Sequence, residues 1–270
     1  MPKRQLLSPL KFYSYAKIEK TRIRFGYANE DRVIHVYLPD GYEEHTDERY
    51  PVMYMWDGQN MFLDSDATFG KSWGMKTFLD RYWKKVIVVG MECAHTSPKR
   101  CNEYCPYPVR IYHVGKVEGA ADHSIRWLID VVKPYIDQTY RTWSHREATA
   151  MGGSSMGGMI SLYAAIKYND VFSKFAVVSP AVSMAMINFM NDIEFSAIHP
   201  DTRIIFTWGT EEWITRNWEK TMHRNILKLE KAIQIKQPEC RTYRLRQEGG
   251  LHNEATWESQ LPVIVPFLWE

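Results

Sequence analysis

No apolar stretch of the 270-residue chain approaches the roughly 20 residues needed to span a bilayer. Met1 to Lys20 carry charges and prolines but no apolar core of a secretory signal, so a cytoplasmic location is expected. Charge of one sign is also scarce. Lys and Arg number 34 against 32 Asp and Glu, a net +2, and no long basic run appears. That balance argues against a nucleic-acid groove or a polybasic membrane patch. Of only four cysteines, Cys93, Cys101 and Cys105 lie close together, yet no His or Cys pair stands at zinc-finger spacing. Free, partly buried thiols and no metal are therefore expected. Repeats, low-complexity tracts and Pro/Gly/Ser linkers are absent, which makes one domain over residues 1–270 the natural reading.

What is present suits a packed α/β protein. The hydrophobic fraction, 45%, is enough for a sizeable core. Short β-rich runs alternate with helical ones, the pattern of a mostly parallel sheet with helices on both faces. About eight strands are expected: 21–28, 32–38, 51–56, 85–91, 148–151, 175–178, 203–207 and 243–246. Helical periodicity covers 72–83, 120–138 and the run after Ser155. It returns where Trp218, Met222, Ile226, Leu229 and Ile233 share one face. The long stretch 92–119 reads as irregular, and loops of that length in compact domains are usually functional. Residues 181–200 have no clean periodicity, so a small cap over a binding site and plain core filling both stay open.

Between the fifth strand and its helix stands Gly153-Ser154-Ser155-Met156-Gly157, a Gly-x-Ser-x-Gly at a strand-turn-helix junction. There a serine is held in a strained conformation with its hydroxyl exposed, while glycines relieve crowding around it. The pentapeptide alone also occurs in flexible loops. Its context is more telling: an acidic pair, Glu211-Glu212, follows the next strand but one, and His252 follows the last. The chain order Ser, Asp/Glu, His is that of the α/β-hydrolases. A serine hydroxyl needs a base within hydrogen-bond reach, imidazole is suited to that task, and a carboxylate fixes the imidazole tautomer. Adjacent residues point different ways, so only one of Glu211 and Glu212 reaches His252. Three positions past Gly209 is the usual place for the acid, which favours Glu212. The oxyanion hole is expected from the backbone N–H groups of Gln59, after the Asp57-Gly58 turn, and of Met156.

The chain resembles the putative-esterase family of α/β-hydrolases, which includes esterase D (S-formylglutathione hydrolase), enterochelin, feruloyl and acetylxylan esterases, and mycolyltransferases. The likeness runs through nearly the whole chain. It rests on Tyr37-Leu38-Pro39, Trp56-Asp57-Gly58-Gln59-Asn60, Lys133-Pro134-Tyr135-Ile136-Asp137, Gly152-Gly153-Ser154-Ser155-Met156-Gly157-Gly158, Val171-Phe172 with Ser179-Pro180, and Gly250-Leu251-His252-Asn253-Glu254. It implies Ser155 as nucleophile, His252 as base, Glu212 as acid, and Gln59 with Met156 as the oxyanion hole. Two departures stand out. Many members have His-Gly where this chain has Asp57-Gly58, although the enterochelin-esterase branch shares Asp-Gly-Gln with it, and the family's acid is often Asp rather than Glu.

The expected activity is hydrolysis of a small-molecule carboxylic ester, on a short acyl or carbohydrate-linked substrate, through an acyl-enzyme and without a cofactor. An acyltransferase or thioesterase on the same fold is the alternative, and a catalytically silent binding protein a third reading. Trp73, Trp208, Trp213 and Trp257 fall near strand ends, where open α/β sheets bind ligands. Packing is favoured for Trp208 and Trp257, and Trp213, beside the acid, is the substrate-pocket candidate. One sequence carries no marker of oligomeric state.

Overall fold

The computed structural model describes residues 16–112, 114–212 and 217–270. The strands are β1 (Lys17–Phe25), β2 (Glu30–Leu38), β3 (Val52–Trp56), β4 (Ile87–Met91), β5 (Val109–Ile111), β6 (Gly115–Val117), β7 (Thr149–Ser154), β8 (Lys174–Val178), β9 (Arg203–Gly209) and β10 (Arg241–Gln247). Eight of them form one sheet in the order β1-β2-β4-β3-β7-β8-β9-β10, with β5-β6 a separate ribbon. The β1/β2 and β2/β4 pairs are antiparallel. From β4 through β10 every neighbouring pair is parallel. This is the α/β-hydrolase sheet expected from the sequence.

The central strands are buried on both faces, as parallel strands between helix layers must be. Alternate side chains go to two separate cores. Tyr54, Trp56, Met151, Phe175, Val177, Ile204 and Phe206 pack on one face with α3 (Ala121–Trp127), α5 (Met156–Lys167) and α7 (Trp218–Lys236). Met53, Met55, Ala150, Ala176, Val178 and Ile205 pack on the other with α1 (Met75–Leu79) and α8 (Glu254–Trp269).

Three elements differ from expectation. The helix foreseen over 72–83 is only α1, because Gly74 enters it with φ 58° and Ser72 is held outside by Asp64. The helix expected over 120–138 is present and continuous from α3 to α4 (Lys133–Thr139), but a π-helical turn at Leu128–Val132 lies in its middle. Pro134 has no N–H to continue the regular ladder, and a widened turn absorbs the missing donor. The stretch 92–119 is not irregular throughout. It contains α2 (Ser97–Tyr104) and the β5-β6 ribbon, elements of eight and three residues whose periodicity is too short to read. Within 181–200, α6 (Met186–Glu194) buries Phe189 and Ile193 in the core shared with α5 and α7.

Candidate active site

The site assembles at the carboxyl ends of the parallel strands, where open α/β sheets leave a crevice. β7 ends in Ser154, and Ser155 takes φ 58° and ψ −117° before α5 begins at Met156. A non-glycine residue at positive φ stores roughly 1–3 kcal/mol and survives only where its surroundings hold it. Here the Ser155 N–H donates to Val178 O at 2.9 Å, and the Ala181 N–H donates to Ser155 O at 3.0 Å. The glycines make room for this turn. A Cβ on Gly153 would lie 2.9 Å from the Gly157 backbone, and one on Gly158 would lie 2.6 Å from Val178 O.

β3 ends beside the elbow. Asp57 adopts the left-handed conformation (φ 59°, ψ 49°) and starts a short 3-10 turn, Gly58–Asn60. Gly58 lies so close to β4 that a Cβ would stand 2.2 Å from the Gly90 backbone. The turn's hydrogen bonds run from Asn60 N–H to Asp57 O (2.9 Å) and from Met61 N–H to Gly58 O (3.2 Å). Neither uses the Gln59 N–H. Met156 is the first residue of α5, where a backbone N–H has no acceptor within its own helix. The two segments touch, since a Cβ on Gly157 would lie 3.3 Å from Trp56 Cβ and from Asp57 Oδ2.

β9 and β10 bring the acid and the imidazole together. Gly209 and Gly250, after the two strands, meet backbone to backbone; a Cβ on Gly209 would stand 2.1 Å from Gly250 O. That approach lets His252 Nδ1 lie 3.0 Å from Glu212 Oε2. Glu212 is 1% exposed and surrounded by donors. Ser179 Oγ (2.5 Å) and the Gly209 N–H (2.7 Å) donate to Oε1, and Trp218 Nε1 (3.2 Å) donates to Oε2. With an acceptor opposite Nδ1, the imidazole carries its proton there and leaves Nε2 as the basic nitrogen. Glu211 is exposed, and its N–H is bonded to Gly250 O at 2.9 Å. Of the adjacent pair, only Glu212 contacts His252.

Two supporting residues escaped the sequence. Trp257, read there as packing, donates from Nε1 to Ser179 Oγ at 3.0 Å, the same hydroxyl that donates to Glu212. Its ring meets the His252 ring edge-on at 5.2 Å. Ser179 itself sits at φ 42° with its N–H bonded to Thr207 O at 2.7 Å. The Ser179-Pro180 dipeptide marked a strand end but not this contact. Trp208 and Trp73 are buried, and Trp213 lies outside the described residues.

Ser155 and His252 line one cleft of about 680 Å³, together with Gln59, Asn60, Phe69, Cys93, Arg100, Glu254 and Trp257. Phe69 stands at it 79% exposed. Buried Glu254 is raised above its ordinary carboxyl pKa, first by desolvation and then by the neighbouring Asp57 charge, and its Oε1 accepts from Asn60 Nδ2 at 3.2 Å. All four cysteines are buried free thiols. Among the described residues no group of His, Cys, Asp and Glu side chains is arranged to hold a metal ion, and no helix is long and apolar enough to cross a membrane.

Residues 26–268 match the family described as Putative esterase. The Bacillus subtilis (strain 168) protein YbbA, itself uncharacterized, is 25% identical over 205 residues, covering 73% of this chain and 74% of its own. An IroE-like serine hydrolase from Shewanella oneidensis superposes with TM-score 0.74 at 15% identity, over 93% of this chain and 79% of that one. The siderophore hydrolase EstA from Aspergillus nidulans gives 0.69 at 16% identity, over 96% and 98%. At such identities the structural likeness speaks to the fold.

Proposed function

The chain belongs to the putative-esterase family, and from that premise we propose that it is a serine carboxylic-ester hydrolase with Ser155 as nucleophile, His252 as general base and Glu212 as the acid that orients it. The observation that carries this reading is the 3.0 Å contact between His252 Nδ1 and a buried Glu212, at a cleft lined by both His252 and Ser155. Ser155 Oγ attacks the ester carbonyl carbon as its proton passes to His252 Nε2. The carbonyl oxygen becomes an oxyanion facing the N–H groups of Gln59 and Met156. Collapse breaks the C–O bond to the alcohol, which leaves with the proton from the imidazolium. Water then attacks the acyl-enzyme with His252 again as base, releasing the carboxylic acid and free Ser155.

A cleft of about 680 Å³ holds an ester well beyond acetate, and Phe69 offers an apolar face for its acyl or alcohol part. Short acyl esters of a bulky, sugar-like or aromatic alcohol fit this reading. A fluorophosphonate probe tests the chemistry: wild-type protein is expected to label at a single serine, and Ser155→Ala to abolish labelling. Unlabelled wild-type protein overturns the proposal. Aryl esters of increasing chain length, run beside acetylated and feruloylated oligosaccharides, then define the substrate. Phe69→Ala is expected to raise KM for the bulkier esters while leaving kcat for the smallest within about threefold.

A further inference from the structure

Asp57 is an unusual choice for the residue before the oxyanion turn. It is 4% exposed, it is left-handed without being glycine, and it carries a carboxylate at a cleft whose reaction creates a negative charge. Such a charge belongs there only if something neutralises it and uses it. The neutralising group comes from α2, in the stretch 92–119 that the sequence read as irregular. Arg100 Nε donates to Asp57 Oδ1 and its Nη2 to Oδ2, both at 2.7 Å, a two-point pairing that fixes direction as well as distance. The guanidinium lies over the Tyr104 ring at 5.2 Å, and Tyr104 Oη accepts the Asp57 N–H at 3.1 Å. One helix therefore holds both the side chain and the backbone of Asp57.

The helix is itself anchored. Arg32 on β2 donates to Glu103 at 2.6 Å, both groups buried, and Glu103 also accepts the Ala94 N–H. Gln59 follows Asp57 by two residues inside a turn already pressed against β4, so the direction of its N–H depends on the Asp57 backbone angles. We propose that Arg100 is a positioning residue of the oxyanion hole: through Asp57 it holds the left-handed turn that aims the Gln59 N–H at the substrate. The proposal rests on the serine-esterase reading and assigns to α2 a part in catalysis without contact to the reacting atoms.

The test compares wild type with Arg100→Met and Arg100→Lys. Removing one oxyanion donor outright costs about 10²–10³-fold in kcat, and misaiming one is expected to cost roughly 10–100-fold. Arg100→Met should therefore lower kcat for p-nitrophenyl acetate, and the fluorophosphonate labelling rate, by roughly that factor with KM within about threefold. Arg100→Lys keeps the charge but not the fork, so it should recover part of the loss. Amide hydrogen exchange over residues 57–61 should speed up about tenfold in Arg100→Met. If Arg100→Met fails to fold because Asp57 is left unpaired, Asp57→Asn combined with Arg100→Met removes that charge and should fold with the same low kcat. A folded variant with wild-type kcat, or with unchanged exchange at 57–61, overturns the proposal. Wild-type protein inert to every ester and to the probe overturns the esterase reading instead, and the exchange measurement then decides the clamp alone.

Discussion

Glu211 and Glu212 are neighbours in the chain with opposite surroundings. The first faces solvent, while the second accepts from Ser179, Gly209, Trp218 and His252. Glu212→Ala should lower kcat/KM by about 10²–10⁴-fold, while Glu211→Ala stays within about twofold. The reverse ranking, in steady-state kinetics on one aryl ester, would move the acid to Glu211. Glu212→Ala should also lower the melting temperature, because each of three buried donors left without an acceptor costs about 1–3 kcal/mol. Protonated imidazole has no lone pair to take the Ser155 proton. Activity should therefore be lost once the imidazole is protonated, and a kcat/KM that never falls on acidification of the folded protein would exclude His252 as the base.

The strand ends at this site also meet backbone to backbone. The ends of β9 and β10 approach through Gly209 and Gly250, and β3 meets β4 through Gly58 and Gly90. Gly209→Ala should cost several kcal/mol, since the atom it meets at 2.1 Å is a main-chain oxygen that cannot swing aside. Gly26→Ala is the control. Nothing lies within 4 Å of its Cβ, so thermal denaturation should place it within about 0.5 kcal/mol of wild type. Strands and α7 were legible because their apolar residues recur over five or more positions, and the elbow because glycines bracket Ser155 at fixed spacing. Eight-residue α2 and the ribbon of two three-residue strands offer no such period, and so the Arg100–Asp57 pairing was hidden along with them.

For the whole molecule the buried thiols set an alkaline limit. Burial pushes Cys240 up to about 12 from an ordinary thiol near 9, and raises Cys93 and Cys105 as well. A thiol raised by folding contributes stability that is complete below its unfolded value and is lost as pH climbs toward its folded one. Lys174 acts oppositely. Burial lowers it from 10.5 to about 8, so the unfolded chain holds the extra proton between those values and stability rises with pH there. Three thiols act in the first direction against one ammonium in the second, and burial raises Tyr54 and Tyr104 in the same direction as the thiols. Melting temperature under reducing conditions should therefore fall between about pH 9 and pH 11, less steeply in Cys240→Val. A melting temperature that rises over that range would show that Lys174 dominates.

The sequence by itself determined the kind of sheet, the sharp turn at Ser155, and the order in which hydroxyl, carboxylate and imidazole appear. Period, glycine placement and chain order are local or one-dimensional properties, and they survive being read as text. Spacing favoured Glu212 over its neighbour, but tertiary structure decided that Glu212 meets His252, that Trp257 and Ser179 stand behind it, and that a helix from a stretch read as irregular grips Asp57. Those outcomes depend on where distant segments come to rest against one another, at separations of 2.5–3.0 Å that no linear spacing encodes.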